Sequence, residues 1–139
     1  MTGIPALAGT LIPDVTPDTT SNGMPAARTA AGRWSAVVVL KGSRTLVAAP
    51  DGRWAVCNQP NPALAKAGAG DVLTGVIGAL LGQGLTPFDA ACLAVAVHAM
   101  AGELLRDRHG LRGGLASELQ LLLPEAWRRL EVADAALAG

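Results

Sequence analysis

Three short apolar segments follow one another in the first half of the chain. Residues 36–40 form a continuous apolar run rich in β-branched side chains, which is typical of a buried central strand. Residues 45–49 and 53–57 have the same character and predict two further strands. Pro50-Asp51-Gly52 lies between them and predicts the turn of a hairpin. A short sheet is therefore expected in this part of the chain.

The second half of the chain has the spacing of helices. Residues 71–81 predict a helix whose small side chains would let it pack closely against another backbone. Thr86 is placed to cap a second helix, which the apolar pattern extends to about Arg106. Ser117 and Gln120 have the spacing of a capping box and predict the start of a last helix. Three strands followed by three helices suit one part of an α/β domain, with a short mixed sheet, a hairpin and packed helices.

The N-terminal segment differs in composition from the rest. Residues 1–23 are rich in Thr, Pro and Gly, and their prolines interrupt any regular element, so they are expected to form a loose leader. Residues 24–139 are expected to form one domain. It would begin with a short helix over residues 25–33, with Pro25 in the first turn.

Composition excludes several classes of function. Half of the 139 residues are hydrophobic and 16% are charged, and the 11 basic residues balance the 11 acidic ones. Without a basic stripe or an aromatic stacking platform, the sequence argues against nucleic-acid binding. No uncharged run has the character of a membrane span, and no secretory leader is recognised, so a cytoplasmic protein is expected. Cys57 and Cys92 lack metal-ligand spacing and are expected to be free cysteines.

The most informative motif is a glycine-rich turn followed by one carboxylate. Gly68-Ala69-Gly70 precedes the predicted helix, and Asp71 stands at the junction. Glycine lets the backbone adopt unusual dihedrals, and a helix start carries unpaired N–H groups and partial positive charge. Such a turn can bind an anion, most often phosphate. An acidic side chain there predicts proton abstraction, and an Asp N-cap with no chemical role is the alternative.

Two familiar nucleotide-binding motifs do not fit this turn. A P-loop closes on Gly-Lys-Ser/Thr, whereas Lys66 comes before the glycines. A dinucleotide-binding fingerprint needs a third glycine at the position of Leu73. The motif that remains is a glycine-rich anion site with an aspartate directly after it.

The turn resembles the signature of the ADP- or ATP-dependent NAD(P)H-hydrate dehydratases, repair enzymes of the ribokinase-like superfamily. The resemblance covers roughly residues 24 to 131 and rests on ordered blocks around the turn. These blocks are Val37-Val38-Val39-Leu40-Lys41-Gly42-Ser43-Arg44-Thr45, Pro50-Asp51-Gly52, Asn61-Pro62 with Leu64-Ala65, Gly68-Ala69-Gly70-Asp71-Val72-Leu73 with Gly75, Gln83-Gly84-Leu85-Thr86-Pro87, His98 with Ala101-Gly102-Glu103, and Ala116-Ser117-Glu118-Leu119 with Leu123-Pro124.

The resemblance implies a role for each matching residue. Asp71 would be the catalytic residue and would contact the hydrated nicotinamide, with Asn61 as a second substrate contact. The nucleotide would be bound by the Lys-Gly-x-x-Thr block and the glycine turn, that is by Lys41, Gly42, Ser43, Arg44, Thr45, Gly68, Ala69 and Gly70. Ala69 replaces the threonine more usual in the family, which removes a hydroxyl contact and leaves the backbone donors in place. His98 is interpreted as a buried, hydrogen-bonded core residue.

The implied activity is that of a hydro-lyase that uses ADP or ATP to restore NADH and NADPH from their hydrates, NADHX and NADPHX. Mg²⁺ would accompany the nucleotide, and no protein metal site is predicted. The family's domain is more than twice as long, so the chain is similar to its C-terminal half, a partial ribokinase-like fold. A homo-oligomer or a complementary N-terminal half would be its partner. The alternatives are a non-catalytic nucleotide-binding fragment and a ribokinase-like kinase of a vitamin precursor.

Overall fold

The computed structural model describes residues 23–57 and 62–138. Its helices and strands follow the predicted order, and their bounds are α1 (Gly23–Trp34), β1 (Val38–Leu40), β2 (Thr45–Ala48), β3 (Trp54–Cys57), a turn of 3-10 helix (Pro62–Leu64), α2 (Ala69–Gly82), α3 (Pro87–His109) and α4 (Ala116–Ala138). The α/β class is confirmed. Nearly all of the predicted leader, and Asn61, lie outside the described residues.

The three described strands form one antiparallel sheet in the order β1-β2-β3. Val39 pairs with Val47, and Val47 pairs with Ala55 on the other side. Side chains alternate between the two faces, as the period of a strand requires. Leu46 and Ala48 of β2 lie in clusters with α1, whereas Val47 belongs to the main core with α3. The sheet is therefore a layer between these two helices.

The central strand is β2, so the prediction that residues 36–40 form a buried central strand was wrong among the described residues. Leu46, Val47 and Ala48 are all buried, whereas β1 is half-buried and its Leu40 is exposed. The strand also begins later, at Val38. The chain leaves α1 through Ser35, whose φ is +51°, and the backbone N–H of Ala36 still donates to Ala31 O at 3.2 Å.

Helix α3 forms the centre of the main core. Its side chains are alternately small and branched, and almost every residue from Ala90 to Leu105 is buried against α2, α4 and the sheet. By length and composition alone, this helix is long and apolar enough to cross a membrane. In the described fold, however, 78% of its most apolar stretch is buried. Its apolar surface is thus used for packing in the described fold.

The caps of the two long helices show one success and one error of prediction. Thr86 caps α3 as predicted, since its side chain accepts a hydrogen bond from Asp89 N at 3.3 Å, with Pro87 next to it. The Ser117–Gln120 capping box was wrong. Helix α4 begins one residue earlier, and Glu118 Oε2 accepts from Leu115 N at 2.6 Å. The negative charge of the Glu118 carboxylate interacts favourably with the positive end of the helix. The amide of Gln120 is neutral and lacks this interaction.

Candidate nucleotide-binding site

The glycine turn is built around a backbone conformation that favours glycine. Gly68 has φ +88° and is the N-cap of α2, and its carbonyl oxygen accepts from Asp71 N at 3.1 Å and from Val72 N at 3.2 Å. A Cβ on Gly68 would also lie 3.1 Å from Ala116 Cβ at the start of α4. Both the left-handed φ and the close neighbour therefore select glycine at this position.

Asp71 lies in the first turn of α2 and does not cap it. The N-cap is Gly68, with no side-chain capping bond, so the alternative of an Asp71 N-cap was wrong. The Asp71 side chain is exposed, and no hydrogen bond or ion pair links it to another residue in the described ranges. A carboxylate in the first turn is stabilised by the positive end of the helix. It is thus open to a ligand that approaches this end.

Lys41 and Gly70 come together although they are far apart in sequence. Lys41 directly follows β1, and its Nζ lies 3.3 Å from the position that a Cβ on Gly70 would occupy. Among the described residues, the N–H of Gly70 has no backbone acceptor, whereas the N–H groups of Ala69 and Asp71 are bonded to carbonyls of the turn. A cationic side chain and a backbone donor with no backbone acceptor in the described ranges therefore lie together at the N-terminus of α2.

The other predicted nucleotide contacts follow Lys41 along the chain. Gly42 and Ser43 are exposed in the β1–β2 connection, and Arg44 and Thr45 are half-buried where β2 begins. The structure thus places this block directly after the lysine that reaches the glycine turn. Asn61 lies outside the described residues, so its predicted substrate contact stays a prediction.

Lys66 holds the glycine turn from the side of α4. Its Nζ donates to the carbonyl oxygens of Gly113 and Gly114, the latter at 2.9 Å, and both residues belong to the α3–α4 connection. In the sequence, the position of Lys66 before the glycines indicates only that the turn is not a P-loop. No local signal could have indicated its role, because its two acceptors are backbone groups 47 and 48 residues away.

His98 holds the turn from the side of the core. It is buried in α3, as predicted, and its Nε2 lies 2.8 Å from Ala69 O. Burial lowers the pKa of His98 below its usual value of 6.5, and the positive charge of Lys41 lowers it further, while the bond to Ala69 opposes the shift. The ring is therefore kept neutral.

Folding stability should depend on pH through His98. Because its pKa is lower in the folded chain, the unfolded chain binds more protons as the pH falls through about 6.5, and stability is lost in that range. We expect the urea midpoint to fall between about pH 7.5 and pH 5. The dependence of the urea midpoint on pH should be weaker in His98→Gln. It should be kept in the control His109→Gln, which changes an exposed histidine. An unchanged slope in His98→Gln would contradict this origin.

No group of three or more His, Cys, Asp or Glu residues that could hold a metal ion is found in residues 23–57 and 62–138. Neither Cys57 nor Cys92 forms a disulfide bond, and burial raises the pKa of the Cys92 thiol to about 12. Cys92 is thus an unreactive core residue at neutral pH.

Comparison with known proteins identifies the family of this chain. The sequence model of the NAD(P)H-hydrate dehydratase family matches residues 8–125. The chain belongs to this family. It is 46% identical over 101 residues to the bifunctional NAD(P)H-hydrate repair enzyme Nnr of Moorella thermoacetica, covering 73% of this chain and 19% of that protein. It is 42% identical over 109 residues to the ADP-dependent (S)-NAD(P)H-hydrate dehydratase of Neisseria meningitidis, covering 78% of this chain and 36% of that protein.

A solved structure of the family shows the same fold. The ADP/ATP-dependent NAD(P)H-hydrate dehydratase of Bacillus subtilis, co-crystallised with ATP and Mg²⁺, superposes with a TM-score of 0.73 and 38% sequence identity. The match covers 80% of this chain and 40% of that one. The predicted ribokinase-like fold is confirmed by this neighbour. The chain thus spans well under half the length of these family members.

Proposed function

We propose that this chain binds ADP or ATP at the N-terminus of α2 and forms the nucleotide-binding part of an NAD(P)H-hydrate dehydratase. The observation that carries the proposal is the Lys41 ammonium beside Gly70, whose N–H has no backbone acceptor in the described chain. A cation, a free backbone donor and the positive end of a helix together suit a phosphate group. The nucleotide dependence stated in the names of the relatives supports this choice.

Each of these residues would have a chemical role in the proposed reaction. Asp71 would accept the proton of the substrate hydroxyl while that oxygen receives a phosphoryl group from the nucleotide. Gly70 N–H and Lys41 would stabilise the charge on the phosphoryl oxygens. The nucleotide supplies the group that turns the hydroxyl into a leaving group. Phosphate then departs with the electron pair of the carbon–oxygen bond, and a proton lost from the neighbouring carbon restores the double bond of NADH or NADPH.

The surrounding residues complete the proposed site. Gly42, Ser43, Arg44 and Thr45 would lie along the nucleotide beyond Lys41. Mg²⁺ would be bound through phosphate oxygens and water, the usual mode for this ion at nucleotide sites. The described residues offer no cluster of His, Cys, Asp and Glu that would bind it directly.

Residues 24–139 would then act as the C-terminal half of the dehydratase domain. The chain covers 36% of the Neisseria dehydratase, and β1 is an edge strand in the described sheet, with Leu40 exposed. An unpaired edge of this kind is normally covered by another strand or element. A complementary N-terminal half or a second copy of the chain is the partner that we propose.

Nucleotide binding can be tested by thermal unfolding of the chain with ADP, ATP and adenosine. ADP and ATP should raise the melting temperature by mass action, with about 2.7 kcal/mol of added stability at roughly 100 times Kd. Adenosine lacks the phosphates that contact Lys41 and Gly70, so its shift should be much smaller. Equal shifts with all three ligands, or none at saturating nucleotide, would contradict the phosphate site.

A further inference from the structure

His98 is the one buried polar side chain among the described residues. Its hydrogen bond to the Ala69 carbonyl also affects the N–H group at the other side of the same peptide. Its Nε2 meets Ala69 O at 2.8 Å. Since a carbonyl oxygen only accepts, Nε2 carries the proton and Nδ1 does not. The neutral ring therefore donates one hydrogen bond to the first residue of α2.

The peptide that receives this bond is the one that presents the free donor of the turn. A trans peptide is planar, and its C=O and N–H point in opposite directions. The Ala69 carbonyl and the Gly70 N–H belong to the same peptide. When His98 holds the carbonyl, the N–H is held in the opposite direction, and Lys41 Nζ lies 3.3 Å from the Cβ position of the same Gly70.

We propose that His98 is a positioning residue, which orients the Ala69–Gly70 peptide so that Gly70 N–H donates to the nucleotide phosphate. The inference rests on the proposed function. It assigns no contact between His98 and substrate or nucleotide. Lys66 fixes the turn against the α3–α4 connection, so the two residues hold it from different sides. The bond from His98 acts, beside the helical bond that Ala69 O accepts within α2, on the peptide whose N–H has no backbone acceptor among the described residues.

Two amide substitutions separate this role from simple core packing. In His98→Gln the side-chain amide nitrogen can occupy the place of Nε2 and donate to Ala69 O. In His98→Asn the amide is one methylene shorter and falls near the place of Nδ1, so the bond is lost. Both variants put a neutral amide into the same buried site. His98→Leu removes the donor at similar volume, and Val95→Ala is a control that weakens α3 packing at a buried residue of the core.

Affinity for ADP and for adenosine would be measured by calorimetric titration of the full chain, with the melting temperature of each variant recorded. We expect His98→Asn and His98→Leu to weaken ADP binding by about tenfold, the scale of one buried hydrogen bond. His98→Gln should stay within about threefold of wild type, as should Val95→Ala. Adenosine affinity should not change in any variant, because adenosine has no phosphate.

Each result decides the proposal. Equal ADP affinity in His98→Asn, His98→Gln and wild type would overturn the positioning role while leaving the proposed function intact. If Val95→Ala lost as much ADP affinity as His98→Asn, the effect would come from lower folding stability. This result would also overturn the positioning role. Absence of ADP binding by the wild-type chain would reject the proposed function, and the positioning role with it. If His98→Leu does not fold, the comparison of the Gln and Asn variants decides alone.

Discussion

Replacing Asp71 with asparagine should lower ADP-dependent dehydration of NADHX by at least about a hundredfold, the scale of general-base catalysis. Asparagine keeps the size of the side chain but cannot accept a proton. Because Gly68 and not Asp71 caps α2, the substitution should leave folding stability nearly unchanged. The rate would be followed as the recovery of reduced nicotinamide, with the N-terminal half of a relative added where the chain needs it.

ADP binding separates a loss of chemistry from a loss of the site. The affinity of Asp71→Asn for ADP should be unchanged or higher, since a negative charge beside the phosphates is gone. Asp89→Asn is a matched control, because Asp89 also lies in the first turn of a helix, at the other end of the α2–α3 pair. It should keep full activity. Normal turnover by Asp71→Asn would exclude Asp71 as the catalytic residue.

Much of the fold could be predicted from the sequence because its signals are local. The apolar runs of β2 and β3, the turn between them and the Thr86 cap of α3 depend on residues close together in the chain. The place of β1 in the sheet could not be predicted. Its apolar composition suits a central strand as well as an edge strand, and only the pairing of β2 on both sides decides the order.

The candidate site could likewise be predicted only where its signals are local in the sequence. The glycine turn and Asp71 were evident from composition and order. The contact of Lys41 with Gly70 is a tertiary one, between the residue that follows β1 and the start of α2, and no sequence spacing encodes it. His98 could be predicted as buried and hydrogen-bonded, but its partner, Ala69 O, is a backbone atom and leaves no trace in side-chain patterns.

Removal of the Lys41 charge is expected to have the second largest effect. A charge-assisted hydrogen bond contributes about 1.5–3 kcal/mol, so Lys41→Met should weaken ADP binding roughly ten- to hundredfold. Methionine keeps most of the side-chain length and removes only the ammonium group. Lys41 is exposed, so the fold should be retained. The change in affinity would be measured by calorimetric titration of the chain with ADP.

The same titration is the most direct test of the phosphate site when Arg33→Met is measured beside Lys41→Met. Both variants lose one positive charge, but Arg33 lies in the last turn of α1, at the opposite end of β1 from Lys41. The predicted result is that ADP affinity falls only in Lys41→Met and that adenosine affinity is the same in all three proteins. Equal ADP affinity in wild type and Lys41→Met, or an equal loss in both variants, would contradict a phosphate site beside Gly70.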